Sequence, residues 1–332
     1  QQSTDNAKFP NNKQRQRFIL DICSGTCAAS KFHLENDSNA IAIAVDLHKS
    51  RDWSIRFIQK PHRTRFIHLQ MDAKHVTVVF IEHLITSYDS SATLSQLAAV
   101  YYSPCCRTLS RASRNRPRYR REDGTPFHPL SIDADNNMNT VIAMLEKLTK
   151  ILSTFACFIE NPLSGVFPSR PSILRLQRNG WQILLTTFCS NADPVEEGYF
   201  PLKPTIIVAW NVQPNLVLPF CDNDCKHRLT PTSHFHRILL CNRATMQQGQ
   251  RVETDPMRKG VIPQGLHRRL WLSHIAYSRH SQDEKYASTA LIMALPVEKK
   301  NAKTTLARLI HARLGHPGEL RLRRPRARAL RV

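Results

Sequence analysis

The sequence lacks any run approaching the ~18–20 apolar residues of a membrane-spanning helix, so no membrane partner is expected. Its opening stretch, QQSTDNAKFPNNKQRQR, has no apolar segment of the kind a secretory signal carries. A starting methionine is missing as well, and we expect a domain cut from a longer protein. Acids are scarce, with 26 Asp and Glu against 47 Lys and Arg, a formal charge of +21. That imbalance favours a polyanionic partner; no obligate protein partner is implied. Nine cysteines without a secretion signal point to a reducing compartment; the expected location is intracellular, and nuclear if the source is eukaryotic.

What is present reads as an α/β protein. The 332 residues suffice for one large domain with a lobe, or for two ordinary ones. After a polar segment (residues 1–16) expected to be disordered, two apolar runs, RFILDI and AIAIAVD, flank a small-residue turn and a linking segment. That is the pattern of a strand–helix–strand unit. RFIHLQMD is a third strand, TVVFIEHLIT fits a helix, and LSQLAAV leads into the strand AVYYSP. Residues 107–137, rich in Arg, Pro and Asp, read as a long loop. A helix then presents Val141, Met144, Leu145, Leu148, Ile151 and Leu152 on one face. TFACFIENP, GWQILLTTFC and PTIIVAWNV are further strands, and IPQGLHRRLWLSHIAYSRH a closing helix. The alternation predicts an open, mainly parallel sheet. Its domain spans residues 17–295, with a small irregular region near 215–260 and a basic tail over 296–332.

In such a sheet, ligands bind at the carboxyl ends of the strands. Asp21, Ser24, Gly25 and Thr26 form a small-residue turn after the first strand, where a backbone can approach a ligand closely. Asp46 closes the second strand 21 residues after Gly25, a spacing at which an acid accepts hydrogen bonds from ribose hydroxyls. Asp72 closes the third and is placed to hold an adenine amino group. The pattern G-x-G-x-x-G is absent, which disfavours a dinucleotide. Caps and turns of an ordinary α/β fold are the plain alternative.

Two cysteine-bearing stretches remain. YYSPCCRTLS places Cys105 and Cys106 side by side, where a mutual disulfide is strained. Core filler, metal ligand and nucleophile all remain open. CDNDCKHRLTPTSHFHRILLC offers Cys221 and Cys225 at a spacing typical of zinc sites, with His227 and Cys241 as candidate further ligands. Polar loop residues are the plain reading of that segment.

Taken together, DICSGTCAAS, YYSPCCRTLS and FIENPLSG resemble the DNA cytosine-5 methyltransferases, in particular divergent phage and retrotransposon forms, over about residues 18–295. The resemblance implies a Rossmann-like S-adenosylmethionine-dependent methyltransferase fold, with Asp21, Ser24, Gly25, Thr26, Asp46 and Asp72 at the cofactor. It implies Cys106 as nucleophile, Glu160 as the acid partner at ring nitrogen 3, and Asn161 as the residue that orients the loop. Lys203 falls where the family has an Arg-rich strand beside the base. Arg107, Arg111, Arg114, Arg116, Arg118, Arg120 and Arg121 then follow the nucleophile in a loop expected to contact DNA phosphates, with Tyr119 either stacking on a base or merely interrupting the run.

The sequence also departs from the family. Cys23 replaces an aromatic residue, Cys27 a glycine and Cys105 a proline, and no late Gly-Asn-Ser motif is visible. A catalytically decayed nucleic-acid-binding protein of retroelement origin is therefore the alternative. Adenine-N6 or cytosine-N4 methylation and RNA methylation stand behind it, although SPCC lacks the aromatic residue of the amino-methylating enzymes. Near the end, LARLIHARLGHPG resembles the segment before the integrase of copia-type retrotransposons.

Overall fold

The computed structural model describes residues 16–47, 58–106, 108–109, 119–192, 198–221, 225–230, 236–239, 250–252 and 261–283. The segment resembling a copia element, the basic tail and residues 1–15 of the polar N-terminal segment lie outside them. Seven strands form one sheet: β1 (Arg17–Ile22), β2 (Ala40–Asp46), β3 (Phe66–Gln70), β4 (Leu97–Tyr102), β5 (Ala156–Pro162), β6 (Gln182–Thr187) and β7 (Pro204–Trp210). Their order is β3-β2-β1-β4-β5-β7-β6. The first five are mutually parallel, while β7 runs antiparallel to both β5 and β6. This is the Rossmann-like methyltransferase fold. Among the described residues, no helix is long and apolar enough to cross a membrane.

Strand β2 shows how the sequence builds two layers. Its alternation of Ala with Ile and Val puts small side chains on one face and branched ones on the other. Ile41, Ile43 and Val45 join a core with helices α2 (Val78–Tyr88), α3 (Pro129–Ile151) and α4 (Pro171–Arg178). Ala42 and Ala44 face the opposite side, where they pack with Cys27 and Leu34 at either end of helix α1 (Ala28–Asn36). On that side Phe32 of α1 also meets Leu266, Leu270 and Trp271 of α5 (Gln264–Asp283). Both faces are covered, as a parallel sheet requires.

Helix α3 begins well inside the expected loop. Pro129 occupies its first turn, and His128 Nδ1 accepts the backbone N–H of Leu130, so one orphan donor is satisfied. Its buried face carries Val141, Met144, Leu145 and Leu148, and Leu152 at the C-cap is buried too. Ile151, expected on that face, is the last residue of the helix and is 59% exposed. In the irregular region a two-stranded sheet pairs β8 (Ile238–Leu239) with β9 (Arg251–Val252).

Candidate active site

Strand order reverses between β1 and β4, and ligand crevices form at the carboxyl side of such a switch point. A cavity of about 710 Å³ opens there. Into it come the turn after β1, the acids ending β2 and following β3, the Ser-Pro-Cys-Cys loop after β4, Glu160 of β5 and Lys203 just before β7. Backbone bonds extend the strands into these turns: Ser24 donates to Val45 O at 3.2 Å and Ser103 to Ile22 O at 3.2 Å.

The turn after β1 is tight. Cys23, Gly25 and Cys27 all adopt left-handed backbone conformations, with φ of 56°, 49° and 54°. Each cysteine carries a cost of roughly 1–2 kcal/mol there, which glycine would avoid. The turn is stitched to β2 by Gly25 N–H, which donates to Asp46 Oδ2 at 2.9 Å. A side chain added at Gly25 would meet nothing within 4 Å, so the backbone is open to the cavity at that point. Asp21 is buried and accepts the N–H and hydroxyl of Ser30, at 3.2 and 2.9 Å. Burial raises its pKa to about 7 against the pull of those bonds. Asp21 thus ties the end of β1 to the first turn of α1. Ser24 and Thr26 are both buried in the cavity wall. Asp72 Oδ1 accepts Lys74 N–H and Asn137 Nδ2, each at 3.1 Å, and Lys74 Nζ lies 3.1 Å from Oδ2.

Cys106 and Glu160 line the same cavity. Lys203 joins them, with Nζ 3.6 Å from Glu160 Oε1 and 4.1 Å above the Phe188 ring. Glu160 Oε1 is buried without a hydrogen bond, so one carboxylate oxygen is held in the cavity by charge alone. Cys106 is itself exposed, but it sits in a recess dense with protein. That desolvation raises its thiol pKa; Lys203 opposes the rise, while Glu160 and Cys105 add to it. Asn161 stands behind the cavity wall, fully buried, and donates from Nδ2 to Pro104 O at 3.0 Å. It ties β5 to the residue before the cysteine pair.

The arginine run divides. Arg107, Arg111, Arg114, Arg116 and Arg118 lie outside the described residues, and Arg121 is exposed. Arg120 does not reach outward as expected. Its side chain is 7% exposed and its guanidinium is committed to Asp135, to Thr108 O at 2.8 Å and to Gly124 O at 3.2 Å. Arg170 pairs with the same carboxylate. Tyr119 is likewise buried, edge-on to His128 at 5.1 Å, which excludes base stacking in this arrangement.

In the Cys/His segment, His227 departs from the expected ligand set. Phe200 N–H donates to its Nδ1 at 2.8 Å, and its Nε2 lies 3.1 Å from Ala192 O, so both ring nitrogens are occupied by backbone. Cys241 lies outside the described residues. Instead, Cys221 and Cys225 converge with Cys189 and His236. Sequence reasoning missed Cys189, which ends an apolar strand far from the other two cysteines. His236 was visible only as one of the two histidines in SHFHR.

No family model matches the sequence, and no curated protein does. Among solved structures, the chain is similar to the Entamoeba histolytica methyltransferase EhMeth, at 14% identity over 62% of this chain and 57% of that one, with a TM-score of 0.36. It is similar to the S. pombe Dnmt2 methyltransferase at 13% identity, over 59% of this chain and 49% of that one, with a TM-score of 0.33. A precorrin-6y C5,15-methyltransferase from Geobacter metallireducens shares 10% identity over 59% of this chain and 81% of that one, TM-score 0.34. The chain thus spans 57% and 49% of the first two proteins. The strand order and the antiparallel β7 define the fold.

Proposed function

We propose that the protein is an S-adenosylmethionine-dependent methyltransferase acting at carbon-5 of cytosine in DNA. One observation carries the reading: Cys106, Glu160 and Lys203 share a single cavity with the β1 turn, Asp46 and Asp72. At about 710 Å³ it falls within the ~300–1,000 Å³ of ligand pockets. The open backbone at Gly25 and the acids beyond it fit the cofactor end, and the thiol and carboxylate fit the base end. S-adenosylmethionine, when bound, supplies an electrophilic sulfonium methyl group.

The residues divide the remaining work. Cytosine carbon-5 is a poor nucleophile until a thiolate adds to carbon-6. Cys106 Sγ forms that bond as its proton passes to solvent, because its raised pKa keeps the resting thiol protonated. Electron density then builds on carbon-5 and ring nitrogen 3. A proton delivered to nitrogen 3 through Glu160 limits that charge. Lys203 lies beside the Glu160 carboxylate and favours the Cys106 thiolate. Once methylated carbon-5 loses its proton to a water molecule, Sγ departs as the thiolate and the ring double bond is restored. Asn161 holds the loop backbone throughout. The base must leave the duplex stack, at a cost of a few kcal/mol.

A decayed nucleic-acid-binding protein is the second reading. The protonated thiol and the two cysteines in left-handed conformations favour it. Incubation with S-adenosylmethionine and duplex DNA containing 5-fluorocytosine separates the two, because carbon-5 then has no proton to lose and the adduct persists. The expected result is a covalent complex on denaturing gels that is lost in Cys106→Ala. Folded protein that binds DNA but gives no adduct, or an adduct that survives Cys106→Ala, would overturn the proposal. An adduct on the matching RNA alone would reassign the substrate.

A further inference from the structure

A second cluster lies outside the cavity. Cys189 opens the short turn that follows β6, and Cys221 is fastened beside it, with its N–H donating to Thr187 Oγ1 at 3.1 Å. His236 approaches through Nε2, 3.6 Å from Cys221 Sγ and 3.1 Å from Cys225 Sγ. No two of the four ligand atoms are more than 4.8 Å apart. Tetrahedral zinc, with Zn–S near 2.3 Å and Zn–N near 2.0–2.1 Å, implies sulfur–nitrogen edges of about 3.5 Å and sulfur–sulfur edges of about 3.8 Å. The two sulfur–nitrogen spacings, 3.6 and 3.1 Å, lie on either side of the first value, and every other pair is within 4.8 Å. Cys189, Cys221 and His236 are buried, which leaves no open position of the kind a catalytic zinc keeps.

Plain packing explains the convergence poorly. Thiols are weak hydrogen-bond partners, yet the imidazole nitrogen of a buried histidine is aimed between two of them. A disulfide would use two sulfurs and leave the third and the imidazole without a role. We propose that Cys189, Cys221, Cys225 and His236 hold one structural zinc ion. Binding replaces three thiol protons, which pass to solvent, and the neutral imidazole ligates through Nε2. The site does not rest on the reaction proposed above.

The ion fastens the irregular region to the end of the sheet, and its influence reaches the cavity through one residue. Phe188 precedes Cys189, donates its N–H to Lys203 O at 3.2 Å, and supports the Lys203 ammonium on its ring. A fixed Cys189 therefore fixes the platform under the cation beside Glu160.

The test uses the full chain purified without chelator. Elemental analysis should find about one zinc per chain, and replacement by cobalt(II) should give the intense visible bands of a tetrahedral thiolate site. Cys189→Ser and His236→Gln should each lose most of the metal, while His227→Gln should keep it. Folded wild-type protein with neither zinc nor cobalt bands would overturn the proposal, whatever the variants do. So would full zinc content in Cys189→Ser, or a disulfide joining any two of the three cysteines in an unreduced peptide map.

Discussion

Cys106 lies under two charges of opposite sign, and its reactivity reports the balance between them. Desolvation raises the thiol pKa, Glu160 raises it further, and Lys203 lowers it. Because Lys203 and Glu160 are 3.6 Å apart, removing either leaves the other to act alone. Lys203→Met should move the pH of half-maximal Cys106 alkylation upward, and Glu160→Gln should move it downward. Iodoacetamide labelling across a pH series, with Cys105 and Cys106 resolved by fragment mass spectrometry, measures both. Shifts of the same sign, or none, would show that the two charges do not converge on the thiol. The measurement needs neither cofactor nor DNA, so it tests the site independently of the reaction.

One scale up, the loop that carries Cys106 is pinned at several points. Asn161 holds Pro104 O, Val166 N–H donates to Leu109 O at 2.9 Å, and Arg120 holds Thr108 O. Arg120 is in turn fixed by Asp135 on α3, which also takes Arg170. Removing the one carboxylate leaves two guanidinium groups in a largely buried site without their counter-charge. Asp135→Ala should therefore destabilise the protein by ~3–5 kcal/mol in urea unfolding, and Asp135→Asn by less. A loss below ~1 kcal/mol would mean that the arginines find water or other partners. None of this was legible in the sequence, where Arg120 looked like one more cation in a run and Asp135 like part of a loop. The helix that carries Asp135 starts with Pro129 and a histidine cap, in a segment too rich in Arg, Pro and Asp to show a 3.6-residue period. Strand ends were legible for the opposite reason: β1 and β2 are short apolar runs with Asp21 one residue before the end of the first and Asp46 at the end of the second, so each acid marks where its run stops. The antiparallel direction of β7 was not legible, because direction is set by the connection and leaves β6 and β7 looking like any other buried strand. Cys189 was hidden in the same way, as its partners approach only through the fold.

For the molecule as a whole, the proposed function brings 47 basic and 26 acidic residues to a polyanion. Each phosphate neutralised on duplex DNA contributes about −0.9 to the slope of log K against log salt. In the proposed function the arginines after Cys106 supply part of that slope. Replacing Arg111, Arg114, Arg116 and Arg118 together by Gln should reduce its magnitude by about 3–4 units if all four contact phosphate. The buried Arg120 gives the internal control: its guanidinium is spent on Asp135, Thr108 and Gly124. Arg120→Gln should lower stability yet leave the salt slope of the folded protein unchanged. Fluorescence anisotropy on a labelled duplex, at salt concentrations from about 50 to 200 mM, measures both variants in one series. An unchanged slope in the fourfold variant would move the phosphate contacts elsewhere on the surface. A slope that falls with Arg120→Gln would mean that Arg120 leaves its buried pair when DNA binds, and that the Cys106 loop rearranges with it.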